Sequence, residues 1–385
     1  MPTRPSPVTV IHLLDAAGGD GQLWGKERVA HWLMEAQLAS GEVLPLLRTL
    51  TPKLLNEVAG RSGIDSQAIA QTVTKDPRPY VAGLRKALDQ QPGALVHTHG
   101  YKANLIGRAA KWAGVKMGGL ISTCHGWVET TRSLRVYNAL DRFTSRYSDA
   151  ATVPAPNMQE RMPRGTIFLP NGIPDAPVPT PEEEQALRAK LRIPSGAIVA
   201  GTLGRLSAEK GIDVLIDAVR QTSSVPNLVW IVAGTGPLAD DLKRAETELP
   251  NLRFIGYVEG SEGLLPAIDV FVQPSWTEGL SLALLEAARA QRAIVATRVG
   301  ATDWAIRPQQ EGLLVQKGDG TKLAEEVTRL AADEELRRDL GHAARHRFED
   351  ALNIHAMHRR LLEVYQQVLT RNSPLSIAQK ADARD

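Results

Sequence analysis

Apolar runs of strand length alternate with amphipathic helical patterns along most of this chain. In the first half the apolar runs fall at residues 8–14, 94–99, 119–123, 150–153 and 166–169. Helical patterns follow at about residues 25–39, 102–113 and 134–148. This alternation is typical of βαβ units, which build a parallel sheet covered by helices.

A second alternating series begins near residue 196. Its apolar runs fall at residues 198–203, 228–233, 252–255, 270–273, 293–297 and 312–315. Its helical patterns fall at about residues 212–221, 239–249, 281–290, 322–331, 335–349 and 354–370. Ligands of such sheets bind outside the carboxyl ends of the strands, so we look for chemistry there.

A change of character between the two series marks a domain boundary. Residues 173–195 hold five prolines and an acidic run, which favours an interdomain connection with a short entry helix. We therefore predict one domain over residues 1–172 and a second over 196–352. A final helix covers 353–371, and the polar tail at 372–385 is predicted to be disordered.

Composition permits two full cores, and charge is uneven along the chain. The 385 residues are 43% hydrophobic and 23% charged, as in ordinary globular proteins. Residues 1–170 hold 20 Lys and Arg against 13 Asp and Glu, whereas the whole chain has a net charge of only +2. The basic half fits a surface facing phosphates or an anionic membrane, or a solvated face without a partner.

Cysteine usage and hydropathy favour a cytoplasmic protein. The single cysteine, Cys124, excludes an intrachain disulfide and fits a reducing compartment. The first apolar run, residues 8–14, is too short for the core of a signal peptide. No run approaches the roughly 18–20 apolar residues that a spanning helix needs. We expect any membrane contact to be peripheral.

Two cations follow the strand at 198–203, in the run GRLSAEKG from Gly204 to Gly211. Arg205 can hold phosphate oxygens bidentately, and Lys210 can add a point charge. Together they suit a diphosphate. The alternative is a pair of surface cations in a loop between a strand and a helix.

Two carboxylates bound the run EGLSLALLE, Glu278 and Glu286. The run crosses from a loop into a helix, and its amides near the positive end of the helix dipole can donate to hydroxyl or phosphate oxygens. These amides belong to Gly279, Leu280, Ser281 and Leu282. Glu286 could accept from ribose hydroxyls, as carboxylates often do in nucleotide sites. The alternative for Glu286 is a salt bridge on a helix face.

With these motifs, residues 199–320 resemble the retaining nucleotide-sugar glycosyltransferases of family 4. Further matches are the run AGTGP at 233–237 and the run FIGYV at 254–258, and the resemblance extends over about residues 8–370. It implies an α/β GT-B fold, with two Rossmann-like domains facing across a cleft and a last helix crossing back to the first domain.

The resemblance also implies roles for residues of the second domain. Arg205 and Lys210 would bind the donor diphosphate, Glu286 the ribose and Glu278 the donor sugar. The backbone near Val258 would lie at the nucleobase. The loops at Gly204 and Gly234 would approach the donor.

In the first domain, Gly18 and Gly19 follow the first strand, and the resemblance places their loop against the donor phosphates and the acceptor. The family often has Gly-Gly-Ala-Glu-Arg there, whereas this chain continues with Asp20 and Gly21. His125 resembles the first-domain histidine that reaches the donor sugar. The alternative for His125 is a buried side chain bonded to backbone.

Metal and thiol chemistry are not expected. His97 and His99 alternate on one strand, but no third ligand appears at metal-site spacing, and no Asp-x-Asp motif follows a strand. Cys124 and His125 are adjacent, so on a strand they point to opposite faces and make a poor nucleophile–base pair. We predict no metal and no cofactor.

A cluster of basic and aromatic residues surrounds the helix after His125. Its members are Arg132, Arg135, Arg142, Arg146, Trp127 and Tyr137, with Lys111 and Trp112 on the preceding helix. The set fits a membrane-interface patch, and equally a basic helix without a partner.

The sequence therefore predicts a metal-independent, retaining glycosyltransferase. It would move a sugar from a nucleoside-diphosphate sugar to a glycan or lipid-linked acceptor in cell-surface polysaccharide biosynthesis. It would contact the inner face of the membrane and bind no nucleic acid. Two alternatives remain open, a nucleotide-sugar 2-epimerase and a non-catalytic sugar-nucleotide-binding protein.

Overall fold

The computed structural model describes residues 6–15, 25–52, 54–55, 63–70, 73–74, 76–126 and 131–373. The chain divides into two compact units. One comprises Met1–Asn171 with Ile354–Asp385, and the other comprises Gly172–Asn353. None of the helices in these described ranges is both long and apolar enough to cross a bilayer.

The first unit is built on a seven-stranded parallel sheet in the order β3-β2-β1-β4-β5-β6-β7. The strands are Val8–Leu14 (β1), Val43–Thr49 (β2), Asp65–Ala68 (β3), Leu95–His99 (β4), Gly119–Thr123 (β5), Ala150–Val153 (β6) and Ile167–Phe168 (β7). The helices between them are Gly25–Ser40 (α1), Arg78–Gln90 (α2), Tyr101–Trp112 (α3), Arg132–Thr144 (α4) and Pro156–Gln159 (α5).

Two strands and a helix of this unit are not predicted by the apolar pattern. β2 contains Pro45, and a proline within an apolar run argues against a central strand, yet β2 pairs with both β1 and β3. β3 has the polar sequence DSQA at the sheet edge. α2 has a proline, Pro79, as its second residue and buries only one face, through Tyr80, Leu84 and its last turn.

The second unit has a six-stranded parallel sheet in the order β10-β9-β8-β11-β12-β13. The strands are Ile198–Leu203 (β8), Leu228–Ala233 (β9), Leu252–Gly256 (β10), Val270–Gln273 (β11), Ala293–Thr297 (β12) and Leu313–Val315 (β13). The helices are Pro181–Lys190 (α6), Ile212–Gln221 (α7), Ala239–Glu248 (α8), Leu282–Arg289 (α9), Thr302–Ala305 (α10), Gly320–Ala332 (α11) and Glu334–Arg347 (α12).

In both sheets the order of the strands reverses beside the first strand of the unit. Neighbours of β8 are β9 on one side and β11 on the other, and β1 lies likewise between β2 and β4. This is the doubly wound order, and it opens a crevice at the carboxyl ends where the order reverses. The prediction of two parallel α/β sheets is confirmed.

The last helix, Ile354–Arg371 (α13), returns to the first unit after a π-helical turn at Phe348–Leu352. It packs on α1, and its Tyr365 is fully buried. Asn372, just beyond the helix, donates to the carbonyl of Gly118 at 3.1 Å. The predicted return of the last helix to the first unit is confirmed.

A buried ion pair fixes α4 on α3. Arg108 lies 2.8 Å from Asp141, and both side chains are almost fully buried. Arg108 also donates to Thr144, at the last residue of α4. α4 begins at Arg132 and ends at Thr144, before the predicted end at residue 148. A 3₁₀ turn at Ser145–Tyr147 follows it.

Candidate active site

One small pocket in the second unit brings together several of the predicted site residues. It lies where β8 and β11 part, and the loops that follow these strands form its walls. The predicted residues in its lining are Gly204, Arg205, Lys210, Glu278 and Ser281. The pocket therefore combines two cations and a carboxylate at the switch point of the sheet.

Lys210 and Glu278 meet directly in this pocket. The Lys210 ammonium donates to Glu278 Oε1 at 2.6 Å, and the Ser275 hydroxyl donates to the same oxygen at 2.8 Å. The Lys210 side chain is 29% exposed and the Glu278 side chain 10%. Both charges can therefore be reached from solvent while their positions are held by hydrogen bonds.

The loop carrying Lys210 is tied to the loop carrying Glu278 through its backbone. The amides of Trp276 and Thr277 donate to the carbonyl of Glu209 at 2.9 and 3.3 Å. Burial acts to raise the pKa of the Glu209 carboxyl, but the Ser207 hydroxyl and the nearby cations outweigh it and lower the pKa. Glu209 thus adds a fixed negative charge behind the pair.

Gly211 permits a close approach between these loops. It has φ +69°, and a Cβ built there would lie 2.0 Å from the Pro274 carbonyl oxygen. Only glycine combines that left-handed conformation with that contact. The approach brings the residue before it, Lys210, to the end of β11.

Gly204 and Gly234, both predicted to bind the donor, touch each other. Gly234 has φ +145°, and a Cβ there would meet the Gly204 carbonyl oxygen at 1.8 Å. The Gly234 amide donates to Gly256 at 2.7 Å. These glycines let the loops after β8, β9 and β10 pack together, and their contact with a donor stays a prediction.

The EGLSLALLE run enters α9 through a capped turn. Ser281 is the N-cap, and its hydroxyl accepts from the Leu284 amide at 3.4 Å. The Ala301 amide donates to the Gly279 carbonyl at 2.8 Å, which holds the loop before the cap. Leu280 is buried in that loop, and Leu282 is the first residue of α9.

Glu286 and Val258 are among the predicted residues that lie outside the pocket lining. Glu286 is buried within α9, where it is 4% exposed. Val258 is partly buried beyond the end of β10. Their assigned roles, at the ribose and at the nucleobase, stay predictions.

Of the donor-site residues predicted in the first unit, only His125 is among those that the structure describes. Gly18 and Gly19 lie outside the described residues. His125 follows β5, and its Nε2 lies 3.0 Å from His99 Nδ1. That contact is the first step of a buried row of imidazoles that the sequence did not predict.

The row runs from His125 through His99 and His12 to Gln37. His99 Nε2 lies 2.9 Å from His12 Nδ1, and His12 Nε2 lies 2.8 Å from Gln37 Oε1. His12 on β1 stands in register with His97 on β4, and side chains two residues apart on a strand share a face. The sheet register therefore assembles these imidazoles.

A second branch leaves Gln37 toward the strand ends. Gln37 Nε2 donates to the Tyr365 hydroxyl at 3.3 Å, and that hydroxyl lies 2.7 Å from His97 Nδ1. His97 Nε2 lies 2.7 Å from the Thr123 hydroxyl, which in turn contacts Thr152 at 2.7 Å. The last helix thus supplies one member of the network.

Burial keeps these histidines neutral. Desolvation lowers the pKa of His12 to about 4, although its bond to Gln37 acts to raise it. Desolvation, with the charge of Lys26, lowers the pKa of His125 to about 3. Burial, reinforced by neighbouring histidines, also holds the pKa values of His97 and His99 well below the usual range. At neutral pH each ring has one donor and one acceptor nitrogen.

The expectation that no third imidazole joins His97 and His99 is wrong. His12 brings a third ring nitrogen, and the three lie within 4.8 Å of one another. Sequence spacing misses His12 because it is on a different strand, far earlier in the chain. Every ring nitrogen of this trio already has a hydrogen-bond partner. The absence of a metal site stays a prediction.

Cys124 is embedded beside the buried ion pair of α3 and α4. Its thiol donates to Asp141 at 3.2 Å, and Asn104 donates to the sulfur at 3.6 Å. Burial and the Asp141 charge raise the pKa of the Cys124 thiol well above its usual range. The thiol is therefore unsuited to be a nucleophile at neutral pH.

The surface of α3 and α4 is apolar as well as basic. Trp112 is 95% exposed at the end of α3. The other exposed large side chains on or just after α4 are Val136, Tyr137, Leu140, Phe143 and Tyr147. The sequence analysis identified the arginines and two of these aromatic residues, but not the apolar stripe between them. Trp127 lies outside the described residues.

Comparison with known families matches both units. Residues 25–172 match the family described as glycosyl transferase 4-like domain, and residues 197–333 match glycosyl transferases group 1. The chain belongs to the group 1 glycosyltransferases. Together the two matches span most of the chain, so the resemblance found in the sequence is confirmed.

Individual relatives of this chain are also named as glycosyltransferases. The lipopolysaccharide core biosynthesis glycosyltransferase LpsE of Rhizobium meliloti is 34% identical over 39% of this chain and 44% of its own length. An Escherichia coli UDP-Gal:alpha-D-GlcNAc-diphosphoundecaprenol alpha-1,3-galactosyltransferase is 25% identical over 69% of this chain and 73% of its own length. With most of the first curated relatives, this chain matches about half of the relative's length.

Solved structures confirm the GT-B fold of this chain. Alr3699/HepE of Anabaena, crystallised with UDP, superposes with a TM-score of 0.79. It covers 94% of this chain and all of its own, at 17% sequence identity. At 17% identity this comparison supports the fold of the chain and nothing about its substrate.

Replacing Gly211 by Ala should destabilise the protein more than the same change at Gly196. Gly196 has nearly the same φ, +72°, but a Cβ there meets nothing within 4 Å. Both variants carry the left-handed penalty of about 1–2 kcal/mol. Gly211→Ala should add about 1–3 kcal/mol of steric strain.

Urea unfolding of both variants, followed by tryptophan fluorescence, measures this difference. Equal losses would show that the loop adapts and that the contact with Pro274 does not constrain Lys210.

Proposed function

We propose that this chain is a retaining glycosyltransferase that uses a nucleoside-diphosphate sugar and a glycan or lipid-linked acceptor. The observation that carries the proposal is the meeting of Arg205, Lys210 and Glu278 around one pocket at the carboxyl end of β8. The 2.6 Å contact of Lys210 with Glu278 supports the proposal, because a cation that suits phosphate lies beside a carboxylate that suits a hydroxyl. A diphosphate joined to a sugar presents those two chemistries side by side.

Known proteins support both substrate classes. HepE has been crystallised with UDP and with UDP-glucose. LpsE is named for lipopolysaccharide core biosynthesis, and the E. coli relative for a diphosphoundecaprenol-linked acceptor. We extend these classes to this chain because its family is the same and its pocket holds the matching charges.

In this proposal the donor lies along the carboxyl ends of the second sheet. Arg205 and Lys210 hold the diphosphate, with help from the amides of Gly279 to Leu282. Glu278 accepts from sugar hydroxyls and Glu286 from ribose hydroxyls. The backbone near Val258 meets the base.

The anomeric configuration is retained if the acceptor attacks C1 of the donor sugar from the face on which the diphosphate departs. The bond from C1 to the diphosphate oxygen breaks, and a bond from C1 to the acceptor oxygen forms. The acceptor proton passes to the departing diphosphate. Arg205 and Lys210 stabilise the negative charge that grows on the diphosphate, so the proposed reaction needs no metal ion.

A transfer assay tests the function. Thermal shift with UDP-, GDP- and ADP-sugars selects a donor, which is then incubated with lipid-linked or glycan acceptors, with and without EDTA. We expect transfer that EDTA does not abolish, giving a product whose NMR spectrum shows the anomeric configuration of the donor. Epimerised donor without any acceptor would identify an epimerase, and binding without turnover a binding protein.

Arg205→Ala and Lys210→Ala should each lower kcat more than they weaken donor binding. Charge develops on the diphosphate only as the bond to sugar breaks, so these contacts strengthen in the transition state. The expected loss is about 2–4 kcal/mol for each variant. Steady-state kinetics measures it, with Arg220→Ala as control because Arg220 is an exposed cation on α7. A raised KM with unchanged kcat would contradict the role in leaving-group stabilisation.

We further propose that α3 and α4 dock on an anionic membrane, where a lipid-linked acceptor would be held. Exposed apolar side chains on α4 stand among Arg135, Arg142 and Arg146. The Arg146 guanidinium stacks over the Phe143 ring at 3.9 Å, so cation and apolar surface are presented together. This combination suits the boundary between headgroups and acyl chains.

Changing Arg135, Arg142 and Arg146 together to Glu should abolish binding to vesicles that contain phosphatidylglycerol. Each cation near an anionic surface contributes about 1 kcal/mol, so at least a hundredfold loss is expected. Co-sedimentation at low and high salt measures it. The control changes Arg220, Lys243 and Arg244, which are exposed in the second unit, to Glu. Equal losses in both variants, or binding that ignores salt, would contradict this docking surface.

A further inference from the structure

The histidine row has a direction, because each member is a neutral imidazole in a buried bond. A neutral imidazole donates through one nitrogen and accepts through the other. Once one bond in the row has a fixed donor, every later bond is determined. The carbonyl oxygen of Gln37 supplies that fixed point, since it carries no hydrogen.

The direction can be followed outward from Gln37. His12 Nε2 must donate to Gln37 Oε1, so His12 Nδ1 is an acceptor. His99 Nε2 then donates to His12, and His99 Nδ1 accepts from His125 Nε2. His125 is thereby held with its proton on Nε2 and a lone pair on Nδ1.

That lone pair on His125 Nδ1 is buried and has no donor facing it among the described residues. Among the residues that the structure describes, His125 Nδ1 has no hydrogen-bond partner and almost no solvent contact. A buried acceptor without a partner costs about 1–3 kcal/mol, which a donor hydroxyl would recover. Burial, with the positive charge of Lys26, lowers the pKa of His125 and opposes its protonation, so the nitrogen stays an acceptor.

We propose that Gln37, His12 and His99 form a relay of positioning residues that fixes His125 as an acceptor for one hydroxyl of the donor sugar. The inference rests on the proposed function, because it takes a nucleoside-diphosphate sugar as the donor. It adds the tautomer of His125 and the residues that determine it. Because every imidazole in the relay is neutral, His125 offers a hydrogen-bond acceptor to a hydroxyl group and carries no charge that would bind an ionised group.

Gln37 is the point at which the direction is set, because its amide is held on both sides. Its Nε2 donates to Tyr365, whose hydroxyl then donates to His97 Nδ1. Turning the amide over would reverse every bond in both branches and place a proton on His125 Nδ1. Thr152→Val supplies the control, because it removes a hydroxyl from the far end of the second branch and leaves both contacts of the Gln37 amide in place.

Nitrogen-15 NMR of histidine-labelled protein tests the relay without any assay of turnover. In the wild-type chain His125 should show a protonated Nε2 and an unprotonated Nδ1 between pH 6 and 8. Gln37→Leu should make the two nitrogen shifts of His125 converge, whereas Thr152→Val should leave them apart. The wild-type spectrum decides the tautomer even if Gln37→Leu does not fold.

Ligand binding tests the sugar contact. The probes are the sugar nucleotide chosen by thermal shift and its free nucleoside diphosphate. Gln37→Leu should weaken the sugar nucleotide about threefold to tenfold, the worth of one neutral hydrogen bond, and leave the free nucleotide unchanged. Thr152→Val should weaken neither.

Three results would overturn the inference. The first is a proton on His125 Nδ1 in the wild type, or a tautomer indifferent to Gln37→Leu. The second is equal loss of sugar nucleotide and free nucleotide in Gln37→Leu. The third is a tightly bound metal ion that shifts the signals of His12, His97 and His99. Failure of glycosyl transfer with a fixed tautomer would refute the proposed function but leave the relay standing.

Discussion

Direct contact between backbones at the carboxyl ends of β8, β9 and β11 is the constraint on which the charged pocket depends. Gly234 rests on the Gly204 carbonyl, and Gly211 rests on the Pro274 carbonyl. A side chain at either glycine would separate the loops. Lys210 meets Glu278 because its neighbour is pressed against the end of β11, so the geometry of the charges follows from the packing of the main chain.

The first unit uses the same sheet architecture to make a different environment. At its strand ends the functional groups are imidazoles, and burial keeps them uncharged. A charged pocket suits a diphosphate, whereas a neutral row distinguishes hydrogen-bond donors from acceptors. In the proposed function the two units divide recognition between charge and hydrogen-bond polarity, although both are parallel sheets with the same strand order around their first strand.

Local motifs and register explain what the sequence could predict. Strands without proline were found from apolar runs, whereas β2, with Pro45, and the polar β3 were missed because neither resembles a buried strand. Arg205, Lys210 and Glu278 were found because they follow strands whose ends must share one edge of a sheet. The histidine row was missed because it needs the register of β1 with β4, and a tyrosine from the last helix.

The return of α13 has a consequence for biosynthesis. The first unit is discontinuous, since its last helix is made after the whole second unit. Tyr365, which bonds His97, leaves the ribosome only after residues 172–353 have been made. Domains tend to fold as units during synthesis, so the later-encoded unit is the first that can finish folding. The first unit cannot complete its buried hydrogen-bond network until the chain is nearly finished. A chain that ends before α13 lacks Tyr365 and leaves that network incomplete.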